Sequence, residues 1–353
     1  MVRKIGLYIF ALAVVSCFAT VGHAQWVAAA GTEGFSVISL GVSGNDIFAG
    51  TYYGPSILLS TDNGNTWSPA NGGLPSTIIL SLAVPGPDVF AGAQDSVYRS
   101  TNNGTTWFSA SAGLTETFNL SLAVRATKLF VGNNGGVFRS TNNGSSWAPV
   151  NAGLRTSAVQ ALCAHGGNLF AGGVNLGGVY LSTNDGDSWA AVNSGLADTN
   201  VYSLIVGNAG IYAGTDGGAF LSTDDGTTWG PVNNGLTFPL VVSFAVNGPN
   251  VFAGTYGGGV FLSTNNGANW TAVNTGLTNL HIRALAVRGP YLFAATDLFG
   301  GDTVAGVWRR PLSEMITSAR DINRVVPTSF GLEQNYPNPF NPVTDIRSLA
   351  AVM

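Results

Sequence analysis

Six positions in this 353-residue chain carry a carboxylate or carboxamide in one recurring setting. Asp62, Asn102, Asn142, Asn184, Asp224 and Asn265 each follow a serine by two residues and precede a glycine by two, at Gly64, Gly104, Gly144, Gly186, Gly226 and Gly267. A tryptophan closes each copy, at Trp67, Trp107, Trp147, Trp189, Trp229 and Trp270. Oxygen-bearing side chains in such number could ligate a hard cation or trade protons with a substrate. The remaining acids of the first 302 residues are Glu33, Asp46, Asp88, Asp95, Glu116, Asp185, Asp187, Asp198, Asp216, Asp225, Asp297 and Asp302, and no spacing singles out a pair such as glycoside hydrolysis needs. Histidine and cysteine are scarcer still, with three of the first and two of the second, so a histidine triad or zinc site has almost no raw material.

What holds these residues apart or together is a repeat. The tryptophans of the six copies fall about 40 residues apart, and around each copy lie the same four short apolar segments. In the sixth repeat they begin at Val241, Asn250, Gly259 and Trp270. Runs of about five residues separated by Gly, Asn and Pro clusters, without helical periodicity, read as strands, and four strands per repeat make one blade of a propeller. The fold class expected is therefore all-β: a single β-propeller of about seven four-stranded blades.

After Trp270 the chain supplies only three more strands, near Ile282, Tyr291 and Ala305. Gln25-Trp26-Val27 followed by Gly31 aligns with the tryptophan strand and the Gly-Leu turn of the other repeats, so the N-terminal strand is expected to close the seventh blade and leave no open edge there. A six-bladed ring with a stray strand and an open solenoid are the weaker alternatives. Along each inner strand a large residue (Leu82, Leu122, Leu162, Leu204, Phe244, Leu285) follows a small one (Ser81, Ser121, Ala161, Ser203, Ser243, Ala284), which suits interdigitation between neighbouring blades.

The Ser-x-Asp/Asn-x-Gly-x-x-Trp pattern resembles the Asp-box, or BNR, repeat of sialidases, sortilin-type receptors, some xyloglucanases and photosystem II assembly factors, over about residues 26–311. Physically, the Asp or Asn can accept hydrogen bonds from amides in the turn, the glycine permits a positive φ and the tryptophan anchors the turn. One copy per blade spreads the six side chains around a rim, so they are read as structural, as the resemblance also implies.

The same resemblance raises two enzymatic readings. A sialidase would need an arginine triad, and no Arg lies between residue 4 and Arg99; it would have to improvise from Arg125, Arg155, Arg283 and Arg288. A xyloglucanase of this type uses a second propeller. No catalytic residue, cofactor site or metal site is assigned. The function expected is a secreted or cell-surface module that binds a glycan or a protein, the alternative being an Asp-box glycoside hydrolase. Binding is expected on the face formed by the loops from outer to next inner strand and by those between the two middle strands. There the repeats diverge, at Tyr52, Tyr53, Glu116, Phe118, Arg155, Asp198, Phe238, Tyr256, His281, Asp297 and Asp302.

Residues 1–24 read as a signal peptide, with Arg3 and Lys4 before an apolar run and small residues before Gln25; Cys17 also sits in a lipoprotein-like box. Without those two basic residues, twelve cations face eighteen acids, a balance of −6 that disfavours phosphate backbones. Cys163 alone then remains, in a strand-like context that suggests a buried inert thiol. The propeller is placed at 25–312 and a charged linker at 313–326. Phe330 to Pro342, within 327–353, resembles the start of the C-terminal sorting domain of type IX secretion, cut short at Met353. Cell-surface or extracellular export, contact with that secretion machinery if its domain were complete, a monomer, and no nucleic-acid partner or membrane span are the corresponding expectations.

Overall fold

Short apolar strands that alternate with Gly and Asn turns pair best with their nearest neighbours in sequence, because each hairpin closes a small loop. The computed structural model, which describes residues 25–156, 158–175, 177–298 and 304–316, shows this pairing carried through the whole ring. Seven four-stranded antiparallel sheets form seven blades. Blades 1 to 6 span residues 36–69, 79–109, 121–149, 159–191, 201–231 and 241–272. Blade 7 takes its three inner strands from 282–311 and its outermost from Val27–Ala28, in the register Val27 to Arg309 and Ala28 to Trp308. The expected closure is thus the one observed. A helical turn over 312–316 follows, and Leu312 and the wholly buried Met315 pack on the cluster beneath blades 6 and 7, so the segment read as a connector starts against the propeller.

Neighbouring blades are joined on a repeating plan. Ser39 Oγ donates to the Ile79 carbonyl at 3.2 Å, Ser81 Oγ to Asn119 at 2.9 Å and Ser121 Oγ to Val159 at 3.3 Å, and Ser243 Oγ accepts from the Leu285 amide at 2.8 Å. The small inner-strand residues therefore tie blades together as well as making room for large ones. Behind each serine the second strand carries a glycine, and a Cβ on Gly132 would lie 2.6 Å from Val159 Cγ1 of the next blade. Blade 7 has Ala295 at this position.

The box turn is a second joint. Ser60 Oγ donates to Asp62 Oδ1 and accepts from the Gly64 amide, each at 2.8 Å, while Thr66 donates to both carboxylate oxygens. Asn142 does the same with its amide, taking the Ser146 N–H on Oδ1 and giving Nδ2–H to Ser146 Oγ. Both central residues are left-handed: Asn103 at φ 54° and Gly104 at φ 80°. Only glycine fits at Gly104, because a Cβ there would approach Phe48 of the preceding blade to 2.6 Å.

The closing tryptophan reaches the same preceding blade. Its backbone N–H donates to that blade in all seven cases, from Trp26 to Thr275 O through Trp270 to Asn234 O. In six of the seven the indole N–H donates as well, as from Trp147 to Ala110 O at 2.7 Å and from Trp26 to Val273 O at 2.6 Å. Trp26, though it follows no box, completes the series. Cys163 is free and buried, and burial pushes its thiol up to about 12.

Candidate functional site

In an antiparallel blade the loops joining strands one to two and three to four emerge on one face, and those joining two to three and four to the next blade emerge on the other. The box turns occupy the first face, which carries polar links between blades and a depression of ≈ 590 Å³ between blades 2 and 3, lined by Pro85, Val124, Leu129 and Asn143 among others. Asp88 holds Arg99 of its own blade and Asn143 of the next, Asp185 meets Arg125 and Lys128, and His165 Nδ1 lies 2.8 Å from Asp225 Oδ1. Arg288 bonds Gly44 O across the closure. Of the four arginines a sialidase-like clamp would draw on, Arg125 and Arg288 therefore sit at the opposite end of the inner strands from Arg155 and Arg283. The six box side chains stay one to a blade, engaged in their own turns.

The second face opens on the channel. In six blades the inner strand carries a register shift near its start, as between Ile79 and Ser81 or between Val201 and Ser203. The extra residue at such a bulge leaves the ladder and its side chain is re-aimed. These residues, with Leu120 of blade 3, line the mouth: Ile38, Leu80, Leu120, Gln160, Tyr202, Val242 and Arg283 surround a space of ≈ 290 Å³. Next to it lie the inner-strand leucines and Phe244, interleaved with Ser39, Ser81, Ser121, Ser203 and Ser243. One arc of the mouth, blades 1 to 3, is aliphatic, while Gln160, Tyr202 and Arg283 are polar.

Arg283 and Tyr202 are held in place. Arg283 Nε sits 3.1 Å from Asp297 Oδ2, and its guanidinium lies 5.4 Å from the Tyr256 ring centroid. Tyr256 in turn packs on His281 with centroids 4.7 Å apart, and the two backbones form an isolated bridge. Asn279 Nδ2 donates to the carbonyls of Asp297 and Val304. On blade 5, burial together with a hydrogen bond to Asp216 pushes the Tyr202 phenol up to about 12. Asn200 ties Asp198 to Asp216, its amide N–H on one and its Nδ2–H on the other.

Two expectations from sequence are corrected. Asp297 is wholly buried and serves Arg283 rather than a ligand. Phe238 is half-buried over the blade 6 turn, with its ring where a Cβ of Gly257 would come within 2.7 Å, so it is mainly a packing residue. Tyr53 and Phe118 are exposed, 57% and 38%, and Arg155 is exposed as well. Asp302 and residues 1–24 and 317–353 lie outside the described residues, and with them the expected signal peptide, most of the linker and the sorting segment.

A second depression, of ≈ 470 Å³, lies on the same face between blades 1 and 2, lined by Tyr52, Tyr53, Ser76, Thr77, Gln94, Asp95 and their neighbours. The two tyrosines pack edge to face at 4.7 Å and 77°. The Asp95 carboxylate accepts from Thr77 Oγ1 at 2.7 Å and from Tyr98 OH at 2.9 Å. Sequence reading found the tyrosines but missed Gln94, Ser76 and Thr77, and it had no signal for the bulged mouth residues. Among the described residues no three of His, Cys, Asp and Glu gather as a metal would require, and no helix is long and apolar enough to cross a membrane.

Residues 160–284 match the family model of the DUF6242 beta propeller domain. No curated protein matches the chain. Solved structures are similar in fold. YCF48 bound to a D1 peptide superposes with TM-score 0.60 at 14% identity, covering 81% of this chain and 96% of that one. The extracellular domain of the putative one component system BT4673 from B. thetaiotaomicron gives TM-score 0.65 at 14% identity, over 82% of this chain and 40% of that one. A GH74 enzyme from Niastella koreensis gives 0.59 at 18% identity, over 79% and 43%, so this chain spans less than half of it. The fold is a seven-bladed β-propeller. Its neighbours include both binding domains and enzymes.

Proposed function

We propose that this protein is an exported, non-catalytic binding propeller that takes its ligand on the loop face around the channel mouth. The observation that carries the reading is the difference between the two faces. The box face spends its charged groups on links between blades, whereas the loop face carries the bulged mouth ring, an aromatic pair and the exposed Tyr53 and Phe118. Aromatic rings beside fixed polar groups are what small recognition sites are made of.

Three acids on this face hold neighbours, since Asp95 takes Thr77 and Tyr98, Asp216 takes Asn200, and Asp297 lies against Arg283, while Glu116 is exposed. That favours binding over proton transfer. The structural neighbour that holds a peptide and the extracellular neighbour support the same reading. The signal-like residues 1–24 and the type IX-like tail add export to the cell surface, which immunoblotting of medium, surface and periplasmic fractions would test; retention inside the cell would refute it.

Glycan and peptide arrays probed with the full chain, with reducing sugar assayed on every glycan, test the function. Binding without sugar release is expected. Release would establish the rival reading, a glycoside hydrolase, for which the GH74 similarity speaks. Silence on both arrays would overturn the binding reading.

A further inference from the structure

We infer that the depression between blades 1 and 2 is a subsite for a neutral sugar residue of an oligosaccharide. The inference rests on the loop face being the binding face and deepens it with a ligand class. Tyr53 is 57% exposed, yet its ring is braced edge-on by Tyr52. A braced aromatic loses little freedom when a ligand arrives, and its face suits the C–H surface of a pyranose.

Hydroxyl recognition needs acceptors and donors set around that platform. An ionised carboxylate offers about four acceptor sites, and Asp95 uses its bonds from Thr77 and Tyr98 to fix its position, which leaves acceptor capacity for sugar hydroxyls. The Gln94 carboxamide and the Ser76 hydroxyl, which bond no other described side chain, line the same space. Gln94 is placed by its backbone, its N–H donating to Ile78 O at 3.0 Å and its carbonyl accepting from Phe118 N at 2.8 Å. Phe118 thereby stands at the margin, exposed and at φ 59°, a conformation an aromatic residue adopts only when its surroundings impose it.

The lining contains no Lys, Arg or His, which argues against sialic or uronic acids. A peptide C-terminus would find no cation there, and apart from Tyr52 and Tyr53, which end a strand with a partner on each side, the lining residues lie in loops, so no sheet edge is offered for an extended chain to join. The volume of ≈ 470 Å³ suits one or two sugar rings at the end or along the flank of a chain.

The test is calorimetric titration of the full chain with cellotetraose, xylotetraose, mannotetraose, maltotetraose and chitotetraose, with sialyllactose and trigalacturonate as anionic controls. At least one neutral tetrasaccharide is expected to bind. Tyr53→Ala should weaken it about tenfold or more and Tyr53→Phe should retain it. Gln94→Ala should weaken it, while Phe108→Ala, exposed on the outer strand of blade 2 and away from the loop face, should leave it unchanged; equal melting curves would show that the variants fold. No neutral binding, preference for the anionic sugars, or binding indifferent to Tyr53→Ala would each overturn the inference. If the peptide array is positive while every sugar is silent, this subsite falls and the binding face stands; if both are silent, both fall.

Discussion

The indole of Trp147 is buried and gives its N–H to Ala110 O, whereas Trp67, equally buried, has no partner for its indole N–H among the described residues. Trp147→Ala should cost about 3–5 kcal/mol in urea unfolding, as a large buried aromatic replaced by a methyl. The phenylalanine variants separate packing from hydrogen bonding. Trp147→Phe is expected to cost about 1 kcal/mol more than Trp67→Phe, the net worth of the one hydrogen bond that differs.

Asp62 supplies a pH signature at the same scale. Bonds from the Thr66 hydroxyl and amide hold its carboxyl down from 3.8 to about 2. A lowered carboxyl stabilises the fold above its unfolded pKa and loses that contribution as pH falls through the folded one. Melting temperature should therefore fall between about pH 4 and pH 2, and Asp62→Asn, which can make the bonds seen at Asn142, should fall less over that window.

At the scale of the element, the blade is limited by how closely its second strand lets the next blade approach. Gly132→Ala would place a methyl 2.6 Å from Val159 Cγ1 and 2.8 Å from Val159 O, and one of these atoms is backbone. Overpacking of this kind costs about 1–3 kcal/mol, to be read in the same unfolding experiment. The inner strand shows the complementary device. In six of the seven blades a bulge near its start turns one side chain into the channel mouth while the strand beyond keeps its pairing, so the mouth varies from Leu to Arg without disturbing the blade.

Across the whole molecule the ring depends on two residues of outer strand and one tryptophan. Val27–Ala28 covers the edge of Gly306–Pro311, and Trp26 is buried in the cluster of blades 6 and 7. Beginning the chain after Ala28 should lower the melting temperature and, by exposing that edge, produce soluble oligomers or aggregate in size-exclusion chromatography with light scattering. A monomeric truncation with an unchanged melt would show that closure through this strand is dispensable.

Blade number, the four-strand unit and the closing role of Trp26 were legible in the amino-acid order, because each is set by local pairing repeated at a nearly constant period. The box turn was legible for the same reason: its serine, Asp or Asn and glycine bond within five residues. Where Tyr256, His281 and Arg283 meet, why Asp297 is buried, and how Gln94 and Asp95 come to face Tyr53 were decided only by the tertiary structure. Those residues come from different strands and mostly from different blades, and their side-chain directions follow from bulges and loop paths. Hydrophobic periodicity reports which residues share a strand face; it carries no information on which loops meet once seven twisted sheets close into a ring.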